Sequence, residues 1–388
     1  MKELLKKPGT MINATTNTIE DLLGHLRAYF QKNSITRKDT DETPPLRSEL
    51  FTKHQMEHHA ESLALLHQLD YTEAPEQLIK RLSDNEEVLT RVINLLQDSV
   101  KEKTRISPAG EWLLDNYYLI EEQILTGKRY LPKRYSKGLP RLINTASAGL
   151  PRVYDIALEI ISHSDGHVDI ASLSSFIAAY QKINYLTIGE LWAVPIMLRL
   201  ALLENLRRVA ARVAIDRIDE NLANNWADKM IANAEKNPKN LVLIIADMAR
   251  SNPPMVSAFV APFTQKLQWK GPELSLALTW LDQHLAEKNT TISVMVQDEN
   301  QRQAADQVSM SNSINSLRFL AKMDWRDFVE TMSVVEQTLR EDIAGIYQHM
   351  DFFTRDSYRH AVEKIAKKSE LAENDVARIA ITLAKKKC

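Results

Sequence analysis

The densest chemical string in the chain is His54-Gln55-Met56-Glu57-His58-His59. It contains His-x-x-Glu-His, in which histidines four apart share a helical face and bind zinc while the glutamate acts as general base. Two histidines alone do not hold a catalytic zinc, and nothing in the sequence marks a third ligand. The plainer reading is the solvated side of a helix whose other side carries Leu63, Leu66 and Leu69, and no metal is assigned. Asp39-Thr40-Asp41 has the Asp-x-Asp form used to hold a metal-bound nucleotide. It sits in a polar linker with no strand before it, where two carboxylates are not preorganised.

A second group of function-like residues runs from Trp112 to Gln123. Asp115 and Glu122 are seven apart, two turns along one helical face, with Tyr118 between them and Asn116 and Glu121 alongside. Paired carboxylates with aromatics suit sugar recognition or glycosidic acid–base work. They suit equally a helix bonded to its neighbours through a polar edge, the reading preferred here. Glu204, Asn205, Arg207 and Arg208 follow an apolar stretch, and Arg355 and Asp356 lie near Thr354 at the head of another helix. Both clusters mix opposite charges, so mutual ion pairing is the default. No nucleophile elbow, phosphate-binding glycine loop, dinucleotide fingerprint or cysteine metal cluster occurs, and no cofactor is expected.

The elements that would position these groups are helices. Ser107-Pro108 reads as a cap with proline at the first helical position, and Gly127 as a stop. Thr187 and Glu190 form a capping-box pattern at the head of a long helix reaching toward Ala234, with Pro195 two turns in as a site for a kink. Ser83-Asp84-Asn85 is a candidate break between two helices. Asp324 and Thr354 are candidate caps, and Leu241 to Ile245 fits either helix or strand. Thr18 followed by Ile19, Leu22, Leu23 and Leu26 predicts an N-terminal helix, with a polar linker from Gln31 to Pro45.

Ten glycines in 388 residues, against a usual share of roughly 7 %, argue against hairpin-rich sandwiches and propellers. The predicted fold is all-α, an irregular multi-helix array of packed helical hairpins with no significant sheet. The expected organisation is a helix and linker over 1–45, a helical subdomain over 46–185, and a second over 186–388 packed on the first. The net charge of −2 gives no field directed at nucleic acid, and no nucleic-acid partner is expected. One cysteine, Cys388, excludes an internal disulfide. The most apolar stretch, Leu191 to Leu203, is short for a membrane span and carries Arg199.

Several strings taken together resemble the N-terminal region of cyclic β-1,2-glucan synthases: GEWLLDNYYLIEEQI, LPKRYSKGLPRL, GLPRVYDIALEIISHSDGHVD, LTIGELWAVPIMLRLALLENLRR, DENQRQAADQVSMSNSINSLRFLAKMDW and MDFFTRDSYRHAVEKIA. The resemblance extends from about Leu46 to Leu383. It implies a cytoplasmic helical region of a bacterial inner-membrane enzyme. In that family membrane helices surround a transferase domain using UDP-glucose, and a phosphorylase-like domain follows. The chain lacks the transferase's nucleotide-sugar carboxylates and its Gln-x-x-Arg-Trp motif. Within LFTKHQMEHHAESLA the family pattern is matched at Glu57 and His59 but not at His54 and His58, which weighs further against zinc there.

The resemblance implies a cytoplasmic, non-catalytic scaffold or interaction region supporting UDP-glucose-dependent glucan synthesis. Its partners would be the membrane and transferase parts of the synthase, with β-1,2-glucan nearby. The alternative is a glucan-binding module or carbohydrate-active enzyme built on the Asp115/Glu121/Glu122 helix. The candidate contact residues are Asp115, Asn116, Tyr118, Glu121, Glu122, Glu204, Arg207, Arg355 and Asp356. A zinc hydrolase at His54, Glu57 and His58 is the third and weakest reading.

Overall fold

The computed structural model describes residues 43–72, 77–131, 138–369 and 371–387. The predicted helix after Thr18 and the Asp39-Thr40-Asp41 string lie outside them. Among the described residues there are fifteen α-helices and a single two-stranded sheet, as the glycine scarcity and helical periodicity predict. In chain order the helices are α1 (Lys53–Leu66), α2 (Leu78–Lys101), α3 (Pro108–Asp115), α4 (Tyr117–Tyr130), α5 (Arg152–His163), α6 (Ile170–Gln181) and α7 (Ile188–Lys236). There follow α8 (Leu241–Ser251), α9 (Ser257–Leu267), α10 (Ser275–Ala286), α11 (Ile292–Lys322), α12 (Trp325–Met332), α13 (Val334–Leu339), α14 (Phe352–Ala366) and α15 (Glu373–Lys387). Strands β1 (Leu69–Asp70) and β2 (Arg141–Leu142) pair antiparallel, Leu69 opposite Leu142.

Local chemistry explains most boundaries. Thr52 and Gln55 form a capping box at the start of α1, and the Ser107 hydroxyl accepts from the Gly110 amide ahead of Pro108. Thr187 and Glu190 satisfy each other's backbone amides at the head of α7, at 2.9 and 3.2 Å. Asp324 caps α12, while Asp351 rather than Thr354 caps α14: its carboxylate accepts from the Thr354 amide at 3.1 Å.

Two other expectations are corrected. Gly127 does not end α4, which continues to Tyr130; a Cβ at Gly127 would lie 3.1 Å from Leu82, so this glycine serves close helix packing. Ser83-Asp84-Asn85 does not divide α2, because Asn85 turns inward and is buried within one continuous helix. The helix α7 runs from Ile188 to Lys236 with Pro195 inside it. Leu241 to Ile245 resolves as helix, opening α8.

The contacts separate two compact units. The larger comprises 45–210 and 296–388. Its interior is lined by the first half of α7, where Leu191, Met197, Leu198, Leu202, Leu203, Leu206 and Val209 are fully buried. A segment apolar on all faces must be enclosed by other helices. The other unit holds 211–295 and has its own core of Met230, Met248, Phe259, Phe263, Leu281 and Leu285. Among the described residues no helix is long and apolar enough to cross a membrane. Arg199 shows why the most apolar stretch is a core helix: its guanidinium is buried and donates to Gln123 Oε1 at 2.7 Å.

Candidate functional site

Three polar centres within the larger unit are built around carboxylates that the folded chain removes from water. At the first, Glu204 is buried on α7. It accepts from Arg81 on α2 at 3.2 and 3.3 Å, from Asn85 at 2.9 Å, and from Arg207 and Arg208 at 2.9 Å each. Burial by itself raises a carboxyl pKa, but three guanidiniums outweigh it, and Glu204 is held well below the ordinary carboxylate range. The same burial raises the neighbouring Tyr154 hydroxyl far above its usual value. The carboxylate is a permanent anion saturated by donors, so no lone pair is left for proton transfer to a substrate.

The second centre is the pair Arg152–Glu190, both buried. Arg152 donates to the two carboxylate oxygens at 2.7 and 2.5 Å and to the Tyr185 carbonyl at 3.1 Å. Glu190 is therefore both the capping-box residue of α7 and the counter-ion of α5. Beside it the His67 ring bridges the Tyr180 hydroxyl at 2.8 Å and Asp155 at 3.0 Å. Burial pushes the Tyr180 hydroxyl up to about 12. This Asp–His–Tyr chain resembles a relay, yet Tyr180 is fully enclosed and His67 nearly so. It joins α5 and α6 to the segment after α1.

At the third centre Arg359 and Glu336 are both wholly buried. Arg359 donates to Glu336 at 2.6 Å, to Glu330 at 3.0 Å and to Asp356 at 2.9 Å. Arg355 holds Glu330 at 2.7 and 2.9 Å, Arg340 reaches Glu336 at 2.8 Å, and the Tyr347 hydroxyl donates to Glu336 at 2.7 Å. The Phe352 ring lies 5.1 Å from the Arg359 guanidinium. Six ionised side chains and a phenol thus knit α12, α13 and α14.

The structure distributes the sequence candidates over separate places. Glu204 and Arg207 belong to the first centre, Arg355 and Asp356 to the third. Asp115, Tyr118, Glu121 and Glu122 are exposed. Asp115 and Glu122 are not on one helical face, because the helix breaks at Asn116: Asp115 ends α3 and Glu122 lies in α4. Asn116 itself is buried. Its amide donates to the Trp112 carbonyl at 2.8 Å, and its oxygen accepts from Arg318.

The histidine-rich string of α1 also divides. His54 and His58 are exposed, and Glu57 accepts from Ser175 of α6. Among the described residues, the three metal-type side chains whose donor atoms converge are His59, Glu159 and His163, all half-buried by residue and with donor atoms within 4.8 Å of one another. Glu159 and His163 are four apart on α5, a spacing present in the sequence but separated from His59 by 100 residues.

No family model matches the chain. Over 310 residues, 80 % of its length, it is 32 % identical to the cyclic β-(1,2)-glucan synthase NdvB of Rhizobium meliloti (strain 1021). The chain spans only 11 % of that relative. The resemblance carried by the quoted strings is thus confirmed at the level of sequence: most of this chain is similar to one segment of a cyclic β-(1,2)-glucan synthase.

Proposed function

We propose that this chain is a non-catalytic scaffold segment of a cyclic β-1,2-glucan synthase system. In this reading it works at the cytoplasmic face of the membrane and supports glucan synthesis from UDP-glucose by transferase and membrane parts that it contacts. The observation that carries the reading is how the carboxylates of the matched strings are used. Glu190 and Glu204 of those strings, like Glu336 outside them, are each buried and bound by one or more guanidiniums. Such networks fix helix geometry and offer a substrate neither a general acid nor a free base.

Two measurements test it together. A synthase in which this chain replaces the matching segment of the Rhizobium relative is expected to make cyclic glucan in cells, whereas deletion of the segment abolishes it. The purified chain incubated with UDP-glucose is expected to form no glucan; polymer formation by the chain alone would sink the proposal.

One observation favours a second reading, a glucan-contacting surface. Tyr118 is 66 % exposed and Leu125 64 %, and with Glu121 and Glu122 they occupy positions i, i+3, i+4 and i+7 of α4. A tyrosine face flanked by carboxylates matches the chemistry of a sugar ring. Calorimetry with linear and cyclic β-1,2-glucans tests this. Binding heat that disappears in Tyr118→Ala supports the surface, and no heat at millimolar glucan removes it.

A further inference from the structure

We propose that His59, Glu159 and His163 form a binding site for a single divalent transition-metal ion of the Zn²⁺ class, clamping α1 to α5. His59 Nε2 lies 2.8 Å from Glu159 Oε2, and His163 Nε2 lies 3.4 Å from the same oxygen. Ligands bound to zinc at about 2.0–2.1 Å in a tetrahedron are separated by roughly 3.3 Å along each edge. The two spacings bracket that edge, and the three donor atoms all lie within 4.8 Å of one another.

The surroundings are arranged as metal-bound histidines require. The Nδ1 of His163 lies 2.8 Å from the Glu49 carbonyl. A carbonyl only accepts, so Nδ1 carries the proton. In the neutral ring Nε2 then presents its lone pair to the cluster, the tautomer set by a backbone partner in metal sites. The Phe51 ring stacks on His163 at 3.9 Å and 10° and meets His59 edge-on at 5.5 Å, restricting both rings. Backbone bonds from the amides of Ser48 and Phe51 to the carbonyls of Ser162 and His163 fix this segment at the end of α5.

The chemistry of the donor set selects the ion. Two imidazoles and one carboxylate suit zinc, cobalt, nickel or copper and are poor for calcium or magnesium, which prefer all-oxygen shells. The side chains of His59 and Glu159 keep 26 % and 32 % exposure, so water can complete the fourth position. The site shares no residue with the His54/Glu57/His58 reading. It does not depend on the chain's role in glucan synthesis.

The test is calorimetric titration of metal-stripped protein with ZnCl₂, repeated for His59→Gln, Glu159→Gln, His163→Gln and the control His54→Gln/His58→Gln, with far-UV circular dichroism confirming folding of each. The expected result is one ion per chain and a thermal transition that rises with zinc and falls back with chelator. Each of the three site substitutions should weaken binding by at least tenfold, and the control should leave it unchanged. Co²⁺ binding, read from visible absorption bands of a low-symmetry site, should be lost in the same three variants, a readout that survives if one variant is less stable. Absence of a one-to-one site in the wild type, binding that persists in His59→Gln/His163→Gln, or binding lost in the control would each overturn the proposal.

Discussion

At the scale of single residues, the charged groups of this chain are matched so that burial and pairing compete, and the winner differs from site to site. At Glu204 the three guanidiniums win and the carboxylate stays ionised. Removing that charge takes away the anion that three guanidiniums share, so Glu204→Gln is expected to cost about 3 kcal/mol in chemical denaturation. Arg81→Ala should cost under about 1 kcal/mol, because its side chain is 39 % exposed and water takes over. Equal losses from the two would contradict this account.

At Glu373 the balance reverses. Burial, with Glu363 and Glu190 nearby, raises its carboxyl to about 7, although the Ile188 amide at the head of α7 donates to it at 2.8 Å. A carboxyl raised in the folded state binds more protons there than in the unfolded chain. Its contribution is fully present below pH 4.5 and is lost as pH rises through 7. Glu373→Gln should therefore match the wild type near pH 4 and exceed it at pH 8 by up to about 3 kcal/mol. A substitution effect independent of pH would refute this assignment.

At the scale of elements, the polar seam along α11 shows how a helix with weak amphipathicity is placed. Ser309, Ser313 and Ser316 are buried. Asn205 on α7 donates to the Ser309 and Ser313 hydroxyls at 3.1 Å each. The turn after α5 docks on the same seam: Ser316 donates to the Gly166 carbonyl at 2.8 Å and accepts from the Val168 amide at 2.9 Å. Gly166 has a φ of +78°, and a Cβ there would fall 2.4 Å from Ser313 Oγ. Gly166→Ala is expected to destabilise by about 2 kcal/mol or more in urea denaturation. Gly138→Ala, with open space around it, should stay within about 0.5 kcal/mol. The serine run was visible in the sequence, but its inward orientation was not, because small polar residues lie on either face of a helix until a partner is known.

At the scale of the whole molecule, the division into two units makes a separable prediction. Phe259 and Phe263 stack at 5.6 Å in the core of the 211–295 unit. Phe263→Ala should cost that core about 3–5 kcal/mol. Hydrogen exchange should then accelerate in amides of 241–285 while those of 191–206 keep their protection. Uniform acceleration across both sets would show one cooperative unit instead.

The sequence by itself determined the all-α class, most helix starts and the kinship with a glucan synthase segment. These rest on local rules: few glycines, caps that satisfy the first amides of a helix, and long strings in a fixed order. It also marked Glu204, Arg207, Arg355 and Asp356 as paired charges and Glu190 as a helix cap. Only the tertiary structure decided which charges meet. Asn85 and Arg81 reach Glu204 across more than 100 residues of chain. His59 meets Glu159 and His163, 100 or more residues away, and not its chain neighbours His54 and His58. Spacing along a helix fixes which side chains share a face, whereas the neighbour that face receives depends on packing between distant helices. The discontinuous larger unit, 45–210 with 296–388, has the same origin: apolar faces alike in sequence are told apart only by the surface each one covers.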